Sequence, residues 1–392
     1  MVEAQAEGEA AVIEDILQHA PSSFLKFLSE NDINKDVYKV VDLPRFVRVN
    51  TALNEAEWPT ELDLQEQLET DVWPIPDFFG FYAFKPHGRR LMDCEAYKTN
   101  KIFGMDISSA LAVAALDIQP DDHILDLCCA PGAKLCMMSN LLGREGAGTI
   151  TGVDVSAHRI ATCRKLLKRY QVGDRCRLFH GDGTKFHVHA PIQSARHIKA
   201  IGARTNGQAE PNDATFPQST AGSVKPYWAP RLLRFDPQVS GSEALYDKVV
   251  VDAECTHDGS IQHIIKYSKN GWKDFENNFM DANRLDNLTS LQRNLMANGW
   301  KMLKRGAIMV YSTCSLSIAQ NEENVYWFLQ HHPDASLHVV PTLAGFTSGH
   351  IKTVPNMMED DQVMNEIKSK CVRFDPIASR TSGLFIARFL KA

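Results

Sequence analysis

Apolar and polar residues follow two different rhythms along this chain. Near the N-terminus Val12, Ile16, Leu17, Phe24 and Leu28 recur close to a helical period, which predicts an amphipathic helix over 11–30. RFVRVN at 45–50 alternates as a half-buried strand does. Residues 60–69 read as a helix and FGFYAF at 79–84 as a strand. Together these predict a small N-terminal helical and α+β region over 1–104. From 105 onward, short apolar runs alternate with helical stretches. A helix at 108–117 leads into HILDLCC (123–129), whose unbroken apolar character suits a strand covered on both faces. Then come helix 133–142, strand 148–154, helix 156–170, strand 175–181, strand 247–252, helix 281–304, strand 306–312, helix 319–330 and strand 383–390. Such alternation predicts an α/β fold for 105–392, with a doubly wound, mostly parallel sheet. The stretch 187–245 holds several prolines and no sustained period, and reads as a flexible insertion between two sheet strands.

Composition fits a folded globular protein: 392 residues, 44% hydrophobic and 23% charged, enough for two or three domains. Lysine plus arginine is 42 and aspartate plus glutamate 48, a net charge of −6, so any nucleic-acid surface must be a local basic patch. One candidate is 159–177, which carries Arg159, Arg164, Lys165, Lys168, Arg169, Arg175 and Arg177 against the single acid Asp174. KPYWAPRLLR (225–234), inside the insertion, adds three basic residues and two aromatics, a mixture suited to single-stranded RNA. The nine cysteines show no C-x-x-C spacing, so no zinc framework is indicated and a reducing compartment fits. No apolar run reaches the ~18 residues of a membrane span. The acidic N-terminus, with its first arginine at Arg45, resembles neither a signal peptide nor a mitochondrial presequence. The expectation is an intracellular monomer, nuclear or cytoplasmic, with no metal and no membrane contact.

Candidate chemistry gathers at strand ends. LDLCCAPGAK (125–134) is a strand, a tight Pro-Gly turn and a helix start, where a ligand can approach the backbone closely. Asp154 ends the next strand, 28 residues after Asp126, and could accept two hydrogen bonds from a ribose diol. Asp182 ends the third strand and could meet an adenine amino group. Each acid alone could merely cap the helix that follows. Three of them around one turn point to a cofactor crevice. The absence of G-x-G-x-x-G favours S-adenosyl-L-methionine over a dinucleotide. Cys255 in VVDAECTHDGS and Cys314 in YSTCSL each lie just past a strand end, which would put both thiols on the same rim. Cys128, Cys129, Cys136 and Cys163 lie on core elements and read as structural.

LDLCCAPGAK, GVDVSAHRI, GDGT, VVDAEC, YSTCSLSIAQNEENV and SGLFIARF occur in the order found in the Nop/Sun (RsmB-like) family of RNA cytosine-5 methyltransferases. RVNT (48–51) and FGMDISSALA (103–112) resemble that family's N-terminal region. The resemblance covers roughly 45–392 and implies a class I methyltransferase fold, S-adenosyl-L-methionine as cofactor, and tRNA or rRNA as partner with its cytosine unpaired or flipped out. It also implies roles. Cys314 would be the nucleophile and Cys255 would help remove the carbon-5 proton and release product. Asp252 would hold the cytosine ring and favour a proton on nitrogen 3. Lys134 would face the base or the cofactor. Cys129, Ala130, Pro131, Gly132, Ala133 and Lys134 of the turn, with Asp154, Asp182 and Asp252, would bind the cofactor, and Arg159 would lie beside the ribose. Two positions depart from the family. Ala133 replaces the second glycine of A-P-G-G-K. Glu254 replaces the proline of a motif that reads DAPCSG in many relatives, and its charge beside Cys255 would raise that thiol's pKa. A catalytically impaired RNA-binding or assembly factor is therefore the competing expectation; a DNA methyltransferase is disfavoured by the T-C-S context.

Overall fold

HILD, TITGVD and YDKVVVD are buried along nearly their whole lengths, so they must lie at the centre of a sheet covered on both faces. The computed structural model describes residues 17, 19–40, 42–76, 78–143, 145–191, 224–234, 244–341, 349–355 and 361–392. A small antiparallel sheet comes first: β1 (Arg45–Val49), β2 (Val72–Pro74), β3 (Phe81–Phe84) and β4 (Ile102–Gly104), in the order β2-β3-β1-β4. The large sheet contains β5 (His123–Asp126), β6 (Thr149–Asp154), β7 (Cys176–His180), β8 (Tyr246–Asp252), β9 (Leu303–Thr313), β10 (Ala335–His338), β11 (Val372–Phe374) and β12 (Leu384–Lys391). Its order is β10-β12-β9-β8-β5-β6-β7, with β11 also paired to β12. Strands β5 to β9 are parallel neighbours, and β12 runs antiparallel to β9. This is the doubly wound, mostly parallel sheet that the alternation predicts.

Helices cover both faces: α1 (Ser22–Glu30), α2 (Glu61–Leu68), α3 (Ile107–Ala114), α4 (Ala133–Leu142), α5 (Ala157–Arg169), α6 (Ile261–Asn270), α7 (Ala282–Met302), α8 (Glu322–His331) and α9 (Gln362–Lys370). Alternate strand residues feed separate cores. Val250 and Val310 pack with Leu135 and Ile160 of α4 and α5; Val249, Val251 and Met309 pack with Met296 and Trp300 of α7. The predicted helix over 11–30 is shorter among the described residues. Pro21, in extended backbone, starts α1 at Ser22, and 1–16 lie outside the described residues. Helix α1 packs against α6, Phe275, Phe279 and Leu316 rather than on the small sheet. That sheet meets the large one through Phe103, stacked 3.8 Å from Tyr170, and Arg48 Nη2, which donates to Asn140 Oδ1 at 2.6 Å.

Most of the predicted insertion lies outside the described residues. One described piece returns to the sheet: Trp228 and Leu178 exchange backbone hydrogen bonds of 2.7 and 3.2 Å and cover the edge of β7. Among the described residues no helix is long and apolar enough to cross a membrane.

Candidate active site

Strands β8 and β9 run parallel with Asp252 opposite Ser312, so the loops that follow them leave the same sheet edge side by side. This brings the two thiols together: Cys255 Sγ and Cys314 Sγ are 3.2 Å apart. Cys255 is fully buried, whereas Cys314 is half-buried and reaches the rim. Buried amides and hydroxyls fix both loops. Gly259 N–H donates to the Cys314 carbonyl at 2.9 Å, and Leu316 N–H to Asp258 Oδ2 at 2.7 Å. Gln320 Nε2 donates to Thr256 Oγ1 at 2.9 Å, and Asn321 Nδ2 to the Ser315 carbonyl at 2.8 Å. Glu322 binds Arg373, whose Nη1 donates to the Leu316 carbonyl at 2.9 Å. The S-T-C-S and N-E-x-x-V segments are thus one hydrogen-bonded unit.

A second group lies beside the thiols. Lys134 Nζ donates to Asp252 Oδ2 at 2.7 Å, and Ser312 Oγ donates to Asp252 Oδ1 at 2.7 Å. Burial opposes the charge on Lys134, but Asp252 outweighs it and the ammonium is held above its ordinary pKa. Asp126 is buried beneath them. Burial and the neighbouring Asp252 push its carboxyl up to about 8, so it is largely protonated at neutral pH. Sequence reasoning counted Asp126 among the three strand-end acids of the crevice but gave it no role of its own. Ser312 and His257 were missed altogether; the only signal was polarity at a strand end.

The thiols share one anionic site. Burial works against ionising Cys255, but hydrogen bonding to Cys314 and the nearby His257 pull it well below an ordinary thiol. Cys314 is pushed up by that same hydrogen bond and by burial. Distance points the other way, since His257 Nδ1 is 2.9 Å from Cys314 Sγ and 3.9 Å from Cys255 Sγ. The two sulfurs are hydrogen-bonded to each other, so the first proton to leave belongs to the pair. We assign the imidazole to Cys314 on the shorter contact. The three groups lie within 4.8 Å of one another, yet 2.9 and 3.2 Å are hydrogen-bond spacings. Ligands on a tetrahedral zinc, with bonds of ~2.0–2.3 Å, sit roughly 3.5–3.8 Å apart.

Glu254 does not act as its sequence position suggested. Its Oε1 accepts from Arg284 Nη2 at 2.5 Å, and Arg284 lies on α7, thirty residues away. The carboxylate is neutralised by that partner, and Cys255 is held low rather than high. The expected inhibitory charge is therefore corrected by a pairing that spacing along the chain does not reveal.

The cofactor residues surround the Pro131 turn. Gly132 has φ +109°, and a Cβ there would lie 3.2 Å from the Cys163 backbone, so only glycine fits without strain. Ala133 already belongs to helix α4, where its methyl is accommodated in ordinary helical backbone. Asp154 is nearly buried; it accepts from Ala130 N–H at 3.3 Å and Ser156 N–H at 2.9 Å, and Arg159 Nη2 donates to the Ala130 carbonyl at 2.7 Å. Cys129 is buried with its sulfur 4.0 Å from that of Cys163, so only its backbone borders the turn. Asp182 is exposed and caps its own turn, with Oδ1 accepting from Thr184 N–H and Oγ1 at 2.9 and 2.7 Å. Each carboxylate still has unused lone pairs. An open backbone turn with acids at two neighbouring strand ends fits a nucleoside-bearing cofactor.

The basic patch is smaller than the sequence suggests. Arg177 is buried and donates to Thr151 Oγ1 at 2.9 Å. Arg169 donates to Asn100 Oδ1 and the Tyr97 carbonyl, at 2.5 and 3.0 Å, and Arg175 to the Glu145 carbonyl at 2.8 Å. Arg164, Lys165 and Lys168 remain as an exposed cationic face of α5. Beside them a groove of about 1350 Å³ is lined by Trp58, Lys168, Tyr170, Arg175 and Trp228, away from the thiols.

The sequence matches the family described as 16S rRNA methyltransferase RsmB/F over residues 113–194 and 232–390. A probable ribosomal RNA small subunit methyltransferase B from Bacillus subtilis is 25% identical over 240 residues, 61% of this chain and 39% of that protein. The ribosomal RNA small subunit methyltransferase B of Yersinia pseudotuberculosis is 23% identical over 306 residues, 77% of this chain and 54% of that one. The chain thus spans about half the length, or less, of these curated relatives. Two solved structures share its fold. A methyltransferase homolog from Pyrococcus horikoshii has a TM-score of 0.63 at 21% identity, covering 97% of this chain and 99% of that one. NSun6 from Pyrococcus horikoshii, solved with SFG, has a TM-score of 0.62 at 15% identity, covering 96% and 99%. The family resemblance carried by the motifs therefore holds, and the chain belongs to the RsmB/F family of S-adenosylmethionine-dependent methyltransferases.

Proposed function

We propose that the protein methylates carbon 5 of a cytosine in RNA through a covalent cysteine–cytosine intermediate. The observation that carries this reading is the half-buried Cys314 thiol, 3.2 Å from Cys255, on the same sheet edge as the Asp252–Lys134 pair. Carbon 5 of cytosine is a poor nucleophile. Addition of the Cys314 thiolate to carbon 6 forms a C–S bond and shifts the ring's π electrons toward nitrogen 3, which takes a proton from solvent and returns it when the C–S bond breaks; carbon 5 then has enamine character. Asp252, oriented by Ser312 and Lys134, would accept from the exocyclic amine and stabilise the proton on nitrogen 3. S-adenosylmethionine, when bound, supplies the electrophilic methyl group. The 129–134 turn, Asp154, Arg159 and Asp182 would hold it. Cys255 would then take the carbon-5 proton as the C–S bond breaks and the Cys314 thiolate leaves. The target base must be unpaired or flipped out to reach the thiol.

The region 1–104 and the exposed α5 face, with the groove beside it, are proposed to hold the RNA. An impaired, binding-only protein was suggested chiefly by Glu254, and the Arg284 pairing removes that support. The test is transfer of labelled methyl from S-adenosylmethionine to total RNA, with digestion to nucleosides. Label in 5-methylcytidine is the expected result, and fractionation of tRNA from rRNA names the substrate. Absence of label in any nucleoside would overturn the reading.

A further inference from the structure

We propose that His257 is the base that takes the Cys314 proton and then holds the resulting thiolate, with Cys255 as a second hydrogen-bond donor to it. The inference deepens the reading above and rests on it for its chemistry. Its ground is geometric. His257 Nδ1 lies 2.9 Å from Cys314 Sγ, and Cys255 Sγ lies 3.2 Å from the same sulfur. Two hydrogen-bonding groups therefore converge on the one thiol that reaches the rim.

The imidazole is placed at a backbone cost. His257 has φ +56°, a left-handed conformation that residues other than glycine seldom adopt. In the DAPCSG pattern this position is the glycine. Residues persist in such conformations where their surroundings over-determine them, often at reactive sites. Here the ring is held edge-on by Phe279 and His263, with centroids 5.3 and 5.4 Å away.

The groups that face it are Asp258 and Cys255 from its own loop, Asp252 from β8, Cys314 from the loop after β9, and His263 from α6. Burial opposes a charged imidazole, yet the negative charge of the thiol pair and the two acids Asp252 and Asp258 outweigh it, and His257 is held above its ordinary range. An imidazolium–thiolate pair is the protonation state this surrounding favours. The step balances simply. The Cys314 S–H proton moves to Nδ1, the sulfur lone pair forms the bond to carbon 6, and the departing thiolate returns to the imidazolium when that bond breaks. Cys255 keeps its own proton while Cys314 attacks; once Cys314 is bonded to carbon 6, the Cys255 proton passes to solvent and the Cys255 thiolate takes the carbon-5 proton, so each turnover releases one proton.

The test needs no RNA. Iodoacetamide labelling of the full chain across pH 5–10 is followed by peptide mass spectrometry, which scores Cys314 and Cys255 separately. A thiol near pKa ~8.5 is only ~3% ionised at pH 7, so a paired thiolate can be up to ~30-fold more abundant. In His257→Gly, which suits the left-handed backbone, Cys314 labelling at pH 7 should fall roughly 5- to 30-fold, with the rates converging near pH 10. His257→Asn, which tolerates the same φ without titrating, should do likewise and covers the case in which the glycine variant misfolds. An unchanged pH profile in both variants would overturn the proposal, as would a loss confined to Cys255. A protein that shows the labelling shift but never methylates RNA would sink the functional reading and leave the pair standing.

Discussion

Exchanging Glu322 for glutamine leaves Arg373 cationic, buried and without its counter-charge. The two side chains are 0% and 3% exposed and meet in a fork: Nε donates to Oε1 at 3.0 Å and Nη2 to Oε2 at 2.5 Å. Removing one partner of a buried pair costs ~3–5 kcal/mol, because the remaining charge stays desolvated. With 392 residues and an unfolding entropy of ~2.1 cal/mol/K per residue, the whole chain loses ~0.8 kcal/mol per degree. The expected fall in Tm for Glu322→Gln is therefore ~4–6 °C. The double exchange Glu322→Leu with Arg373→Met removes both charges and should recover most of that loss. It should not recover the site, because Arg373 Nη1 no longer fastens the Leu316 carbonyl two residues beyond Cys314. Thermal unfolding by circular dichroism, paired with single-turnover methyl transfer, separates the two effects. A Tm within about 1 °C of the unmodified protein in Glu322→Gln would refute the reasoning.

Other substitutions probe other parts of the site. Gly132→Ala forces a side chain to φ +109° and toward the Cys163 backbone, so both stability and calorimetric affinity for S-adenosylmethionine should drop, the latter about tenfold or more for a cost of ~1.4 kcal/mol. Unchanged affinity would mean that the turn does not hold the cofactor. Replacing Arg164, Lys165 and Lys168 with alanine should lower the slope of log affinity against log salt for single-stranded RNA by up to ~0.7 per lost phosphate contact. An unaltered slope would reduce this face to a solvated one. Asp126 has a folded pKa of about 8 against 3.8 unfolded, so the native state binds the extra proton between those values. Its contribution to stability is therefore lost as pH rises from ~4 to ~8, and Asp126→Asn should flatten the fall in denaturation midpoint over that window. Parallel curves for the two proteins would place the buried proton elsewhere.

The sheet was legible in the sequence where strands are long and buried on both faces. TITGVD and YDKVVVD announce themselves as apolar runs bounded by an acid. β2, β4 and β11 span three residues each, too few for a period to register, and β10 has only one buried position. Helix α6 was missed although Ile261, Ile264 and Ile265 stand at helical spacing among polar neighbours, a signal that was there to be read. The thiols were legible because both stand at strand ends, and parallel pairing converts that into proximity. Partners fixed by side-chain reach were not. Glu254 meets Arg284 across thirty residues, and His257 turns toward Cys314 only through a left-handed φ. Arg177 shows the opposite error, since a residue in a basic run turned inward to a hydroxyl on the neighbouring strand.

The covalent mechanism is tested most directly by trapping. Cys255→Ala and Cys314→Ala are each incubated with RNA and S-adenosylmethionine, then resolved on a denaturing gel. In Cys255→Ala the Cys314 thiol still attacks but the carbon-5 proton has lost its base, so a denaturant-resistant protein–RNA complex should accumulate. In Cys314→Ala no nucleophile remains, and neither complex nor methylated RNA should form. A complex from Cys314→Ala alone would exchange the roles of the two thiols. Full methyl transfer by Cys314→Ala would contradict covalent catalysis by this cysteine altogether.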